Sequence, residues 1–428
     1  MTGIQTAQDP SAWPQRRITH RRLTVGWQHA TGPADLREHH NRYGPPPSAC
    51  HQRPQDLADA VAAAQLTGRG GAGFPTATKM RAVAQRRGPA VVVANGVESE
   101  PASRKDQALL ARAPHLVLDG ALLAARAVGA SVVHICLDQA RNRQADVMLR
   151  AISERQRAGL DEVAMLVHGL PSRYVASEET SLISWLNGGE ARPTTVPPRP
   201  YERGVGGRPT LVDNVETLAH VALIARYGPD WFGQVGHAGA PGTMLITVGG
   251  AVGYPGVYEI EAGSRLGDVL TLCDGYGEDG SVLVGGYFGT WHAARDVAGL
   301  PFSVPGLRDA GASPGAGVIF ALPAGRCGLA ETARILGFLA GQSAGQCGPC
   351  MFGLPAVAED FAQLAHGRRC GDVLGRLHRR LGAIAGRGAC RHPDGAVRMA
   401  ASALAAFASD ASAHAVGRPC AWAEAGCR

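Results

Sequence analysis

The chain has almost no lysine. Of its 42 lysine and arginine side chains, 40 are arginine; the two lysines are Lys79 and Lys105. A compact ammonium and a planar guanidinium are not interchangeable at a close phosphate or hydroxyl contact. The two lysines therefore mark segments in which to look for a ligand. Aromatic residues form only 5% of the chain, and the net charge of +6 is spread without basic runs. Nucleic-acid binding draws on clustered basic and aromatic residues, so it is excluded as a function. Long apolar runs are missing too. The best stretch, 115–137, is broken by Asp119 and Arg126, and no direct membrane span is expected. No apolar segment follows the arginine pairs Arg16-Arg17 and Arg21-Arg22, which predicts neither secretion signal. Ten cysteines at uneven spacing point to reduced thiols or metal ligation rather than a disulfide framework, and to a cytoplasmic location.

What is present describes a globular protein: 428 residues, 45% hydrophobic and 18% charged, enough for two or three domains. The stretch that stands out is Thr67-Gly68-Arg69-Gly70-Gly71-Ala72-Gly73-Phe74-Pro75, ending near Lys79. Its glycines allow bare N–H groups to face a ligand, and Arg69 and Lys79 supply cationic donors for a phosphate. Gly68, Gly70 and Gly73 fit the dinucleotide spacing, but the preceding residues, 56–66, have an amphipathic helix pattern. A standard Rossmann site needs a strand there. The loop joins helix to helix, and a plain flexible linker is the alternative.

Residues 1–54 read as an arm or irregular cap containing Pro45-Pro46-Pro47, with His39 and His40 on its surface. From 55 to 235 the pattern is α/β. A buried strand, 90–94, runs into the acidic turn Asn95-Gly96-Val97-Glu98-Ser99-Glu100, where open α/β sheets place ligands. Helix capping by those carboxylates is an equal alternative. One long helix is expected over 105–128, then a strand over 131–137. Tyr174 precedes Glu178-Glu179, which feed a helix, and a proline-rich stretch at 192–209 leads to a helix opened by Thr210–Leu218. Residues 236–326 turn to short strands in β-β-α-β order, a small β-grasp (ubiquitin-like) domain. Gly285–Gly289 reads as a turn, with a quinone- or cobalamin-type site as the weaker option. Residues 327–428 are helical, consistent with a four-helix bundle. Within them Cys347-x-x-Cys350 and the distant Cys390 suit an iron–sulfur cluster, with a redox-active pair as competitor.

Together these motifs resemble the NADH-binding flavoprotein component of bacterial respiratory NADH–quinone oxidoreductase and related diaphorase subunits. The resemblance covers about residues 60–400 and rests on motifs in one order. They are Gly68–Pro75 with Lys79, Glu98–Pro101 with Lys105-Asp106, and Tyr174 with Glu178–Thr180. Pro197-Pro198, Gly207–Thr210, Asn214–Thr217 and the three cysteines complete the set. It implies an α/β and α+β multidomain protein: a Rossmann-like FMN-binding domain, the β-grasp domain and a helical iron–sulfur domain. Gly68, Arg69, Gly70, Gly71 and Lys79 are expected to hold the FMN phosphate and ribityl chain. Asn95, Glu98, Tyr174, Glu178, Asp213 and Asn214 are expected to line the rest of the flavin site. Phe74, Glu100 and Glu179 match NADH contacts, the two glutamates being the catalytic positions. Cys347, Cys350 and Cys390 are expected to ligate a [4Fe–4S] cluster.

Several positions depart from the family pattern. Ala344 stands where a cluster cysteine is expected, leaving an incomplete set; Cys327 and Cys370 are possible substitutes. Val97 replaces an acidic residue, Ser177 a glycine, and Val196 and Arg199 a lysine and an adenine-stacking aromatic; Met80 replaces another aromatic. The expected activity is electron transfer from NAD(P)H through FMN to a ferredoxin-like protein, a membrane-associated redox subunit or a quinone-linked acceptor. Such a partner would hold the chain at the inner face of the membrane. The alternative is a flavin-binding relay or docking subunit that has lost NADH oxidation.

Overall fold

The computed structural model describes residues 20–45, 53–275, 280–368 and 371–421. Arg16, Arg17, Pro46, Pro47 and Cys370 lie outside the described residues. The N-terminal segment carries α1 (Leu36–Tyr43), capped by the Asp35 carboxylate on Glu38 N–H. It is bound to the body: the Glu259 carboxylate accepts the N–H groups of Arg22, Leu23 and Thr24 at 2.9–3.1 Å. His39 is not a surface residue as expected; it is 1% exposed and bonded to Asp119 at 2.7 Å.

Next come α2 (Pro54–Ala63), α3 (Thr76–Ala84), β1 (Ala90–Gly96), α4 (Lys105–Arg112), α5 (Pro114–Val128), β2 (Ala130–Asp138), α6 (Asn142–Arg157), β3 (Ala164–Leu170), α7 (Glu179–Leu186), β4 (Thr210–Asn214) and α8 (Val215–Gly233). The four strands form a parallel sheet in the order β3-β2-β1-β4. The chain thus builds outward from β1 and then returns to its other side, which makes the gap between β1 and β4 the topological switch point. The expected single helix over 105–128 is two helices bent by 97°. Pro114 disfavours the α conformation at the residue before it, and Ala113 sits at φ −138°, ψ 55°. No single helix among the described residues is long and apolar enough to cross a membrane. Thr210–Asn214, expected to open a helix, is instead the strand β4; the helix begins at Val215, capped by the Asn214 side chain.

A five-stranded mixed sheet follows, built from β5 (Thr243–Gly250), β6 (Gly256–Glu261), α9 (Leu266–Leu272), β7 (Ser281–Val284), β8 (Thr290–Ala293) and β9 (Val318–Ala321). Its order is β8-β7-β9-β5-β6, antiparallel except where β9 runs alongside β5. The last part is helical: α10 (Gly328–Gly341), α11 (Leu354–Ala365), α12 (Val373–Ile384), α13 (His392–Ala406) and α14 (Ala408–Ala415). The whole is a multidomain α/β protein in which the core of the helical region continues onto the five-stranded sheet through Leu283, Trp291 and Phe320.

Buried charge ties the first region together. Asp119 on α5 bonds His39 of α1, Arg155 of α6 at 2.6 Å and Arg226 of α8, all at most 3% exposed. Removing the shared carboxylate leaves two buried guanidinium groups short of a partner. Asp119→Ala is therefore expected to destabilise the chain by about 3–5 kcal/mol, measurable as a lower urea midpoint.

Candidate functional site

The glycine loop folds back on itself between α2 and α3. Gly68 N–H donates to Phe74 O at 2.8 Å and Thr76 N–H to Leu66 O at 3.0 Å, which pins both ends. Between them, the N–H groups of Gly70, Gly71 and Gly73 donate to no group among the described residues. Gly71 holds φ at 106°, a value that disfavours any side chain. A Cβ at Gly70 would lie 3.4 Å from the Asn214 Cβ, so the loop passes close over the end of β4.

Asn95 and Asn214 are register partners at the carboxyl ends of β1 and β4, with Asp213 opposite Ala94. The loop thus overlies the switch point, where open parallel sheets bind nucleotides. Lys79 reaches this point from α3. Its Nζ donates to Val212 O at 3.0 Å and lies 3.8 Å from Asp213 and 3.9 Å from Glu179. Asp213 is 3% exposed, and its Oδ2 finds no partner among the described residues. An orphaned buried carboxylate oxygen near an ammonium, below a loop with unpaired N–H groups, fits a ligand bearing both hydroxyl donors and an anionic group. FMN has both.

The remaining residues expected at the flavin are divided. Asn95 donates to Ser177 O at 2.9 Å and accepts Val97 N–H. Glu98 takes up the N–H groups of Asp106 and Gln107 at 3.1 and 3.2 Å, where α4 begins. Glu178 caps α7 through Thr180 and Ser181 N–H. Both therefore cap helices, which for Glu98 was the alternative reading. Arg69 turns inward, donating to Thr243 O at 3.1 Å, with Glu216 at 4.0 Å, so its guanidinium does not join Lys79. Phe74 stays half exposed. Ser177 hydrogen-bonds Ser99 at 2.6 Å, Val97 is buried among Val91, Val93 and Leu182, and Met80 is in the core.

Glu100 is buried rather than open to a substrate: its carboxylate accepts Tyr174 Oη–H and Tyr287 N–H, both at 2.9 Å. Burial raises it to about 7, opposed by those donors. A Cβ at Gly286 would strike Glu100, so the Gly285–Gly289 turn is a contact between regions. Tyr174 in turn packs edge-on against Phe288, Phe338 and His392 at 4.8–5.9 Å. His392 lies two residues beyond Cys390.

Cys347, Cys350 and Cys390 come together beside that aromatic group. Cys350 N–H bonds Cys347 O at 3.0 Å. Burial raises the Cys350 thiol to about 12, with Cys347 and Cys390 adding to the rise. Ala344 is buried and offers no donor. Cys327 does not replace it. It precedes the 14-residue α10 while Ala344 follows that helix, a separation of about 21 Å at 1.5 Å per residue. The three thiols fit a cluster held by the protein at three corners.

Sequence reasoning missed Glu216. It is 0% exposed and binds Lys105 at 2.8 Å and Leu245 N–H at 2.8 Å. Lys105 also binds Asp106 at 2.7 Å, which holds Asn214 at 2.7 Å. A buried lysine demands carboxylate partners, and that demand was the available signal. A cavity of about 190 Å³ borders this cluster and the glycine loop, lined among others by Gly68, Gly71, Gly73, Lys105, Glu216 and Phe302. It is smaller than the ~300 Å³ at which nucleotide-sized sites begin, and Lys79, Asp213 and Asn214 do not line it.

A glycine loop over the switch point of a parallel sheet, joined through aromatics to three cysteines from two loops, defines a multidomain redox protein of the nucleotide-binding α/β class. Residues 61–223 match the family model described as the Nuo51 FMN-binding domain, and residues 330–414 match the NADH-ubiquinone oxidoreductase-F iron-sulfur binding region. The chain is 33% identical to the NADH-quinone oxidoreductase-F protein of Salmonella typhimurium, over 83% of each protein. It is 30% identical to that of Streptomyces coelicolor, over 90% of this chain and 89% of the relative. Among solved structures it resembles a chain of an NAD+-reducing [NiFe]-hydrogenase. There the TM-score is 0.79 and the identity 32%, covering 86% of this chain and 65% of that one. The chain belongs to the NADH-quinone oxidoreductase-F family.

The Asp213 environment sets a pH dependence. Burial raises this carboxyl to about 6, with Lys79 opposing. The folded chain holds that proton more tightly than the unfolded chain, so the contribution is present below about pH 4 and lost as pH rises through about 6. Asp213→Asn is expected to stabilise the flavin-free chain at pH 7 by on the order of 1–3 kcal/mol. Urea unfolding at pH 5 and pH 7 measures it; equal stability of the two proteins at both values refutes the assignment.

Proposed function

We propose that the chain oxidises NAD(P)H through FMN and passes the electrons by way of an iron–sulfur cluster to a partner protein. The observation that carries this is Lys79 and the orphaned Asp213 oxygen at the β1–β4 switch point, with the glycine loop passing over the end of β4, in a chain of this family. FMN, when bound, supplies a two-electron hydride acceptor that can release electrons singly to a cluster. The loop N–H groups and Lys79 bind the phosphate and ribityl end, and Asp213 accepts a hydrogen bond from a ribityl hydroxyl. Asn95 and Asn214 fix the strand ends that form the floor. Glu179, on the rim beside Lys79, and Phe74 at the loop tip orient the nicotinamide substrate. Glu100 acts from behind, holding the Tyr174 ring between the flavin region and Cys390. Arg69, Glu98 and Glu178 shape the site by fixing backbone.

We read residues 1–54 as an arm, 55–235 as the Rossmann-like flavin domain, 236–326 as a β-grasp domain and 327–428 as the helical iron–sulfur domain. Cys347, Cys350 and Cys390 hold the cluster, and the fourth corner, facing Ala344, takes a ligand from outside the chain or carries no iron. Met351 and Phe352, 51% and 70% exposed beside Cys350, suit the exit to a redox partner, ferredoxin-like or membrane-associated.

Anaerobic titration of the FMN-loaded protein with NADH and with NADPH, followed by visible absorption and EPR, tests the reading. Bleaching of the flavin band by either nucleotide is expected. Bleaching by dithionite but by neither nucleotide would favour the relay alternative. Lys79→Met is expected to weaken FMN binding at least tenfold, since a charge-assisted phosphate contact is worth about 1.5–3 kcal/mol; flavin fluorescence titration measures it. Ala344→Cys is expected to raise iron content per chain and change the EPR signature of the reduced cluster.

A further inference from the structure

We infer that the helical region carries a second metal site, a zinc site formed by Cys327, His414 and Cys420. The three donors come from separate places. Cys327 immediately precedes α10, His414 lies on α14, and Cys420 follows α14. Their ligand atoms all lie within 4.8 Å of one another, and the first two residues are buried. Tetrahedral zinc with bonds of about 2.0–2.3 Å holds its ligand atoms about 3.3–3.8 Å apart, so a modest contraction closes the site.

His414 is preset as a ligand. It is 0% exposed, and its Nδ1–H points at the carbonyls of Leu364 and Ala365 at 3.2 and 3.1 Å. That bond fixes the tautomer and leaves the Nε2 lone pair for a metal, the usual arrangement around a zinc histidine. Nε2 accepts Cys420 N–H at 2.9 Å, which brings Cys420 alongside. On metal binding Nε2 exchanges this N–H for the ion. The backbone N–H groups of Leu329 and Ala330 at the start of α10 donate to the Cys327 sulfur. Those donors face the sulfur and suit a thiolate once a cation offsets its burial. Pro419 packs against Gly367, where a Cβ would come within 2.8 Å, so the segment bearing Cys420 is held down.

Charge balance favours a divalent soft ion. Two thiolates and a neutral imidazole with Zn²⁺ form a neutral unit, so burial carries little desolvation penalty. Binding releases two thiol protons, and the fourth position goes to water or another donor. The site is distinct from Cys347, Cys350 and Cys390, which lie beyond the opposite end of α10. Its effect is structural: it fastens the segment after α14 to the start of α10.

Zinc content and zinc K-edge absorption of the full chain, purified under argon with its flavin and iron in place, test this. Zinc stoichiometric with the chain is expected, with two sulfurs at about 2.3 Å and one nitrogen at about 2.0 Å. Cys420→Ser and His414→Ala should lose the zinc and keep flavin and iron. If these variants fail to fold, chelation of the wild-type chain should make two further thiols reactive. The proposal is overturned by a chain that takes up no zinc from an equimolar solution. Variants that retain full zinc, or a Cys327–Cys420 disulfide in the argon-purified protein, overturn it equally.

Discussion

Glu216 touches every part of the molecule that must be held still around the loop. One carboxylate oxygen accepts Leu245 N–H from the five-stranded sheet, and the other binds Lys105 at the start of α4. Arg69 of the glycine loop approaches the same group. Because it is fully buried, the carboxylate is strongly favoured only as one member of a complete charged set. Burial is the largest influence and opposes its ionisation, yet Lys105, His220 and Arg69 together outweigh it and hold the carboxyl down to about 2. The loop, the end of β4 and the second sheet are thereby fixed to one charge. Lys105 contributes through this cluster and Lys79 at the open site, so the two lysines serve different ends.

A second seam runs from Glu100 through Tyr174 to His392. Here burial of polar groups is satisfied across three regions: Tyr174 Oη–H and Tyr287 N–H meet on Glu100, and Gln342 accepts Tyr174 N–H at 3.1 Å. The aromatic contacts around Tyr174 fill the space between the switch point and the cysteine loop. Such a junction is closely packed, which suits electron transfer between two centres, and it explains why Glu100 is buried rather than facing substrate. Ser177, a departure from the family pattern, is absorbed into the same seam by bonding Ser99.

Local signals carried much of this architecture. The helix before the glycines, the buried strand at 90–94, the run of helices after 327 and the cysteine spacing were readable because each depends on residues near in sequence. So was Lys79, since retained lysine among forty arginines is visible without any structure. Local signals failed where neighbours compete. Pro114 broke a pattern that periodicity alone made continuous, and Thr210–Leu218 divided into strand and helix because pairing with β1 claimed its first half. His39 looked like a polar residue on an arm; only contact with Asp119 gives it a reason to be buried.

By itself, the sequence determined the family and the inventory of chemical groups, because motifs and composition are properties of the chain. Tertiary structure alone decided which carboxylates are open to a ligand. Glu98, Glu178 and Glu100 are spent on backbone N–H groups and a tyrosine, while Asp213 keeps an unpaired oxygen beside Lys79. That allocation follows from which buried donors lie within reach of each oxygen. Chain spacing does not encode it, and the same holds for Cys327, drawn to His414 and Cys420 by a fold that separates it from the other three cysteines.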